Sequence, residues 1–160
     1  MSDIRLGFGT DIHRLIAGRR LILGGIEISS DVGADGHSDG DVLLHSVTDA
    51  ILGALALGDI GTHFPNTDDR WKDAASIEFL RYATGLVSEN GFRVSNVDSN
   101  INLEMPRLKP YIEQMRKNLS DILGVDPDRV SIKAKTGEKV DAVGDGRAVS
   151  ANASVLLVAA

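Results

Sequence analysis

HSDGDVLLHSVTDAILGALAL, residues 37–57, opens on a turn-forming run from His37 to Gly40 and passes into a segment whose apolar residues recur with helical spacing. At about 100° per residue, Leu43, Leu44, Val47, Ala50, Ile51, Ala54 and Leu55 fall on one face, and Asp41, His45, Thr48 and Asp49 on the other. The spacing predicts an amphipathic helix with Ser38 or Asp39 as its N-cap, running through about Leu57. His45 and Asp49 are four residues apart, so the carboxylate is placed to orient the second imidazole nitrogen. Asp41, in the preceding turn, is the other candidate for that task.

Upstream, Ile4 to Phe8 alternates as a strand, and Leu21-Ile22-Leu23, Gly24-Gly25 and Ile26-Glu27-Ile28 read as strand, tight turn and strand. Downstream comes a polar loop from Leu57 to Asp69, then a helix from Ala74 to Glu89 that stops at Asn90-Gly91. A strand follows from Phe92 to Leu103, broken by Met105-Pro106, and a helix from Tyr111 to Leu123 ends at Gly124. Val130 to Lys135 and Ala148 to Val158 alternate as final strands. This order predicts an α+β fold, a mixed sheet with helices packed on one face, as a single domain over residues 1–160.

Composition narrows the function classes. The chain has 160 residues, 42% of them hydrophobic, which suits one buried core. No apolar run approaches the roughly 20 residues of a membrane span, and the N-terminus lacks a signal-peptide pattern, so a soluble, cytosolic protein with no membrane partner is expected. A formal charge of -6 argues against nucleic acid as a partner. With no cysteine, any metal must take nitrogen and oxygen ligands.

Three of the four histidines lie near the helix start or the first strand. Asp11 and His13, just past that strand, share one side of an extended segment. With His37 and His45 in reach, they supply an Asp and two His, a set that leaves one position open on a tetrahedral, zinc-like divalent ion. Taken singly, His37 and His45 also read as ordinary cap and surface histidines, and His63 reads as a plain loop residue. Thr136-Gly137-Glu138-Lys139 has two readings: a polar turn, or a phosphate contact in which Glu138 supplies an oxygen to Mg²⁺. There is neither a P-loop nor a dinucleotide fingerprint.

Taken in order, Gly9-Thr10-Asp11-Ile12-His13, Gly24-Gly25, His37-Ser38-Asp39-Gly40-Asp41, His45, Thr48-Asp49-Ala50, Asp59-Ile60-Gly61, Phe64-Pro65, Asn96-Val97-Asp98, Pro106, Lys133-Ala134, Thr136 and Glu138-Lys139 closely resemble the 2-C-methyl-D-erythritol 2,4-cyclodiphosphate synthase family. The likeness runs from about Leu6 to Leu157, and its specificity lies in the order of many short motifs. It implies a homotrimer with active sites at subunit interfaces. The implied reaction converts 4-diphosphocytidyl-2-C-methyl-D-erythritol 2-phosphate to the cyclic diphosphate and CMP, in the non-mevalonate isoprenoid route. The resemblance also implies a bacterial cytosolic setting, or a plastid for a plant-type source.

Carried over by position, Asp11, His13 and His45 would hold a zinc-like ion and Glu138 would hold Mg or Mn with the substrate diphosphate. His37 and Thr136 would support the transition state. Asp59 and Gly61 would contact sugar hydroxyls, and the loop from Phe64 to Asp68 would lie near the methylerythritol. Leu103, Met105, Pro106, Arg107 and Leu108 would form the cytosine pocket, with Ser38, Lys135 and Gly137 as further substrate contacts. Two places depart from the family pattern. Asn66 replaces the middle aspartate of Phe-Pro-Asp-Thr-Asp, and Ala142 and Asp145 stand where Phe and Arg are usual, leaving Arg147 as the candidate phosphate contact. A metal-dependent phosphoesterase and a non-catalytic nucleotide- or isoprenoid-binding module remain the alternative readings of the same ligand set.

Overall fold

The computed structural model describes residues 3–160. Its first strand, β1 (Ile4–Ala17), alternates between a helix-facing side that carries Gly7, Gly9, Asp11 and His13 and an outer side that carries Leu6, Phe8 and Ile12. The hairpin β2 (Leu21–Leu23) and β3 (Ile26–Ile28) turns through Gly24 and Gly25, both at positive φ, and the short strand β4 (Val32–Ala34) follows. Next come α1 (Val42–Ala54), the single turn α2 (Ile60–His63), α3 (Ser76–Glu89), β5 (Phe92–Asn102), α4 (Ile112–Leu123), β6 (Val130–Lys135), the turn α5 (Asp141–Gly144) and β7 (Ala148–Ala159).

Five strands form one sheet in the order β4-β1-β7-β5-β6, with β5 and β6 parallel and the other pairs antiparallel. β2 and β3 form a separate two-stranded sheet. The expected mixed sheet and helical layer are therefore present, and α1, α3 and α4 close a single core with it. Leu43, Leu44, Val47 and Ile51 of α1 are fully buried there.

The absence of side chains at two positions brings α1 onto β1. A Cβ at Gly7 would lie 1.7 Å from the Ala50 carbonyl oxygen, and one at Gly9 would lie 2.1 Å from that of Ser46. Only glycine lets the two backbones approach this closely. The outer side of β1, in contrast, leaves Leu6, Phe8 and Ile12 more than half exposed at 71%, 63% and 61%.

The structure corrects several local expectations. β1 continues to Ala17, so Asp11 and His13 sit inside the strand rather than past it. Neither Ser38 nor Asp39 caps α1. Asp41 does, because one oxygen of its carboxylate accepts from Leu43 N at 3.1 Å and Leu44 N at 3.0 Å. The same carboxylate accepts from Gly24 N at 3.0 Å and Gly25 N at 2.7 Å, tying the hairpin to the helix. Burial pushes this carboxyl up to about 6, against the opposing effect of its backbone donors. The helix stops at Ala54, with Leu55 as C-cap and Ala56 at φ +58, short of the expected Leu57. Its polar stripe is not a solvated face: Asp41 and Thr48 are fully buried, and Thr48 donates to the Leu44 carbonyl at 2.7 Å, as the equally buried Ser46 beside the stripe does to that of Leu43 at 2.9 Å.

Candidate active site

Asp11 and His13 reach the helix-facing side of β1 from positions i and i+2, and His45 meets them from the first turn of α1. Asp11 Oδ2 lies 3.1 Å from His13 Nε2 and 2.9 Å from His45 Nδ1. One ligand atom from each residue falls within 4.8 Å of the others, a spacing that suits a single ion. Burial alone would raise the Asp11 carboxyl, but the adjacent His13 and His45 imidazoles outweigh it and hold the group well below the usual carboxylate range. The adjacent Asp11 carboxylate raises His13, against its partial burial.

The remaining imidazole nitrogens are oriented from outside. His13 Nδ1 donates to the Asp35 carbonyl at 2.7 Å, which turns the Nε2 lone pair toward Asp11. His45 Nε2 lies 2.7 Å from Ser76 Oγ and 3.2 Å from Ser38 Oγ. Ser76 in turn donates its hydroxyl and its backbone N–H to Asp39. Asp39 and Ser76 thus do what Asp49 and Asp41 were expected to do, since neither of those carboxylates bonds His45. Asp49 instead accepts from Ile60 N at 2.7 Å and anchors α2, and its burial raises its carboxyl. The chain gives no local signal for Ser76, which lies 31 residues from His45.

A cavity of about 170 Å³ opens over the three ligands, lined also by His37, Ser38, Ile60, Gly61, Phe64, Asn66, Trp71 and Phe79. Among the described residues, two buried side-chain nitrogens lack any hydrogen-bond partner, His13 Nε2 and Trp71 Nε1, and both belong to this lining. A buried polar atom without a partner is costly unless a ligand satisfies it. An orphaned imidazole nitrogen beside a carboxylate and a second imidazole is the donor chemistry a zinc-like ion requires, so the residues present fit that ion.

The other expected site residues divide. His37 faces the cavity, its Nε2 3.5 Å from the Asp68 carbonyl. Phe64 is buried in an aromatic cluster, with ring centroids 4.4 Å from Phe79 and 4.9 Å from Trp71. Asp59 caps α2 through Thr62 N and Oγ1, both at 2.8 Å, and Asp68 is bonded to Arg70, so within one chain both carboxylates are occupied locally. His63, the last residue of α2 rather than a loop residue, bonds the Leu57 carbonyl at 2.9 Å and Tyr82 at 3.2 Å.

Leu103, Pro106, Arg107, Leu108, Lys135, Thr136 and Glu138 line a separate cavity of about 420 Å³. Met105 is turned away from it, toward the segment Ser29 to Val32. Gly137 is packed so closely that a Cβ would lie 2.3 Å from Gly144 N. Thr136 Oγ1 donates to Glu138 Oε1 at 2.7 Å, while Arg147 is paired with Asp145 at 2.9 Å. The two groups of residues lie at one end of the sheet but on different strands. Asp11 is in register with Ala151, Ala151 with Ile101 and Ile101 with Ala134. Three inter-strand spacings of about 4.8 Å put them roughly 14 Å apart within one chain.

Comparison with known proteins places this geometry. The sequence profile of the YgbB family matches residues 4–158. The 2-C-methyl-D-erythritol 2,4-cyclodiphosphate synthase of Solibacter usitatus is 53% identical over 157 residues, covering 98% of this chain and 99% of that protein. Among solved structures, a 2-C-methyl-D-erythritol-2,4-cyclodiphosphate synthase in a CDP-bound form superposes with a TM-score of 0.89 at 42% identity, over 96% of this chain and 99% of that one. The bifunctional IspDF from Campylobacter jejuni gives a TM-score of 0.95 at 40% identity, covering all of this chain and 43% of that longer one. No helix among the described residues is long and apolar enough to cross a membrane.

Proposed function

The chain belongs to the YgbB family, the 2-C-methyl-D-erythritol 2,4-cyclodiphosphate synthases, and from that premise we propose how its residues carry the reaction. It is a cyclodiphosphate synthase of the non-mevalonate isoprenoid pathway. It converts 4-diphosphocytidyl-2-C-methyl-D-erythritol 2-phosphate to the 2,4-cyclodiphosphate with release of CMP. The 2-phosphate oxygen forms the new bond to the β-phosphorus, and the bond from that phosphorus to the CMP oxygen breaks. Nucleophile and electrophile are anionic parts of one molecule, so positioning and charge neutralisation supply most of the rate.

The observation that carries the metal assignment is the unpartnered, buried His13 Nε2 facing Asp11 and His45. Asp11, His13 and His45 would hold a zinc-like ion, and Glu138 would hold Mg or Mn with the diphosphate. Bound there, such ions neutralise phosphate charge and polarise the phosphoryl oxygens. Asp39 and Ser76 keep the His45 ring aimed at Asp11. His37 donates a hydrogen bond to the 2-phosphate side of the substrate, and Thr136 to the diphosphate. Gly61 and the rim at Asp59 and Asp68 meet the sugar, with Ser38 behind them. Leu103, Met105, Pro106, Arg107 and Leu108, with Lys135 and Gly137, hold the cytidine end.

Residues 1–160 act as one unit, and the unit works as a homotrimer, in the bacterial cytosol or in a plastid for a plant-type source. The supports for the trimer are the uncovered apolar side of β1 and the gap of roughly 14 Å between the two half-sites, which a neighbouring subunit would bridge. Light scattering should give a mass three times the 17.1 kDa of the chain, and a monomer would contradict the shared site. With the diphosphocytidyl substrate and Mg²⁺, chromatography should show CMP accumulating. Inorganic phosphate without CMP would instead make the protein a phosphoesterase.

A further inference from the structure

We propose that Glu104, just past β5, is a positioning residue that braces the Thr136–Glu138 segment for phosphate chemistry, an inference that rests on the roles proposed above for Thr136 and Glu138. The residue is only 8% exposed, unusual for a glutamate. Both of its oxygens are spent on one loop: Oε2 accepts from Gly137 N at 3.0 Å, and Oε1 meets Lys139 Nζ at 2.6 Å. Glu138 lies between those two anchor points.

The loop needs bracing. Glu138 and Lys139 both hold positive φ, at 51° and 62°, a conformation side chains other than glycine adopt rarely. Close packing at Gly137 and Gly144 fixes the backbone from behind, where a Cβ on Gly144 would lie 2.6 Å from the Lys139 carbonyl carbon. Glu104 fixes it from the front. By engaging the Lys139 ammonium it also keeps that cation from pairing with the adjacent Glu138, whose carboxylate is left to the Thr136 hydroxyl and to solvent. The segment carrying Glu104 also presents Leu103, Pro106, Arg107 and Leu108 to the second cavity, so one stretch of chain couples the nucleotide pocket to the phosphate loop.

The test uses zinc-loaded protein and Mn²⁺ affinity in the presence of CDP, read by electron paramagnetic resonance, beside CMP-release kinetics. With CDP at saturation, Glu104→Ala should weaken Mn²⁺ and lower kcat by about tenfold each, the lower end of what outer-sphere partners contribute, with the melting temperature near wild type. Glu104→Gln still accepts from Gly137 but releases Lys139, and should shift Mn²⁺ affinity the same way by about threefold. Wild-type Mn²⁺ affinity and kcat in folded Glu104→Ala, or in Glu104→Gln should the alanine variant not fold, would overturn the brace. If the wild-type protein itself binds no Mn²⁺ with CDP, the assignment of Glu138 fails instead.

Discussion

His13→Ala and His45→Ala should each lose stoichiometric zinc by elemental analysis and lower kcat by about 10³-fold or more. A lost Lewis acid removes several kcal/mol of transition-state stabilisation, and about 4 kcal/mol corresponds to that factor. Each substitution leaves two protein ligands where a catalytic zinc site uses three. The mechanism of loss differs between them. Removing His13 deletes the unpartnered Nε2 outright, whereas removing His45 also strands Ser76 and Ser38, whose hydroxyls sit at 2.7 and 3.2 Å from its ring. His63→Ala is the control. Its bonds to Leu57 and Tyr82 lie outside the triad, so zinc content should stay at wild type. Full zinc in both His13→Ala and His45→Ala would show that the ligand assignment is wrong.

Gly9→Val should destabilise the fold by about 3 kcal/mol or more, lowering the melting temperature by roughly 6–12 °C for a chain of this size. The new Cβ would lie 2.1 Å from Ser46 O and 2.7 Å from Ala50 N. Both are backbone atoms of α1, so no rotamer change relieves the clash and the helix must lift from β1. That motion reaches the site, because Asp11 follows two residues along the strand and His45 precedes Ser46 on the helix. Gly53→Ala, on the exposed side of the same helix, separates this from a general intolerance of α1. Its Cβ meets nothing closer than Phe8 O at 3.9 Å, and replacing a mid-helix glycine is expected to be neutral or to stabilise by about 0.5–1 kcal/mol. Differential scanning calorimetry distinguishes the two outcomes, and a Gly9→Val protein melting with wild type would remove the close-approach argument.

These contrasts show which parts of the molecule the sequence could reveal. Asp11 and His13 were legible because two residues apart means one side of an extended chain, whatever the strand's limits. The strand's true length was not, because Gly7, Gly9 and Asp11 are poor strand formers, and only contact with α1 explains the glycines. Helical periodicity found α1 and its apolar face, but the burial of Ser46 and Thr48 depends on what covers the other side. Periodicity likewise offered Asp49 as the partner of His45 on spacing alone, while the structure gives that place to Ser76 from α3, a contact no local pattern encodes. Thr136 and Glu138 read equally as a polar turn or as a phosphate contact, and only resemblance to a family chooses between the two. Within one chain they line a different cavity from the triad.

The proposed reaction is attack by the substrate's own 2-phosphate rather than by water, with His37 and Thr136 proposed to position the phosphates relative to the Asp11–His13–His45 triad. Running the reaction in ¹⁸O-enriched water and analysing the phosphorus products by mass spectrometry tests this directly. The account predicts a cyclic diphosphate free of ¹⁸O, formed in equal amount with CMP. A methylerythritol 2,4-bisphosphate carrying one ¹⁸O atom in its 4-phosphate would contradict it, because water would then be the nucleophile.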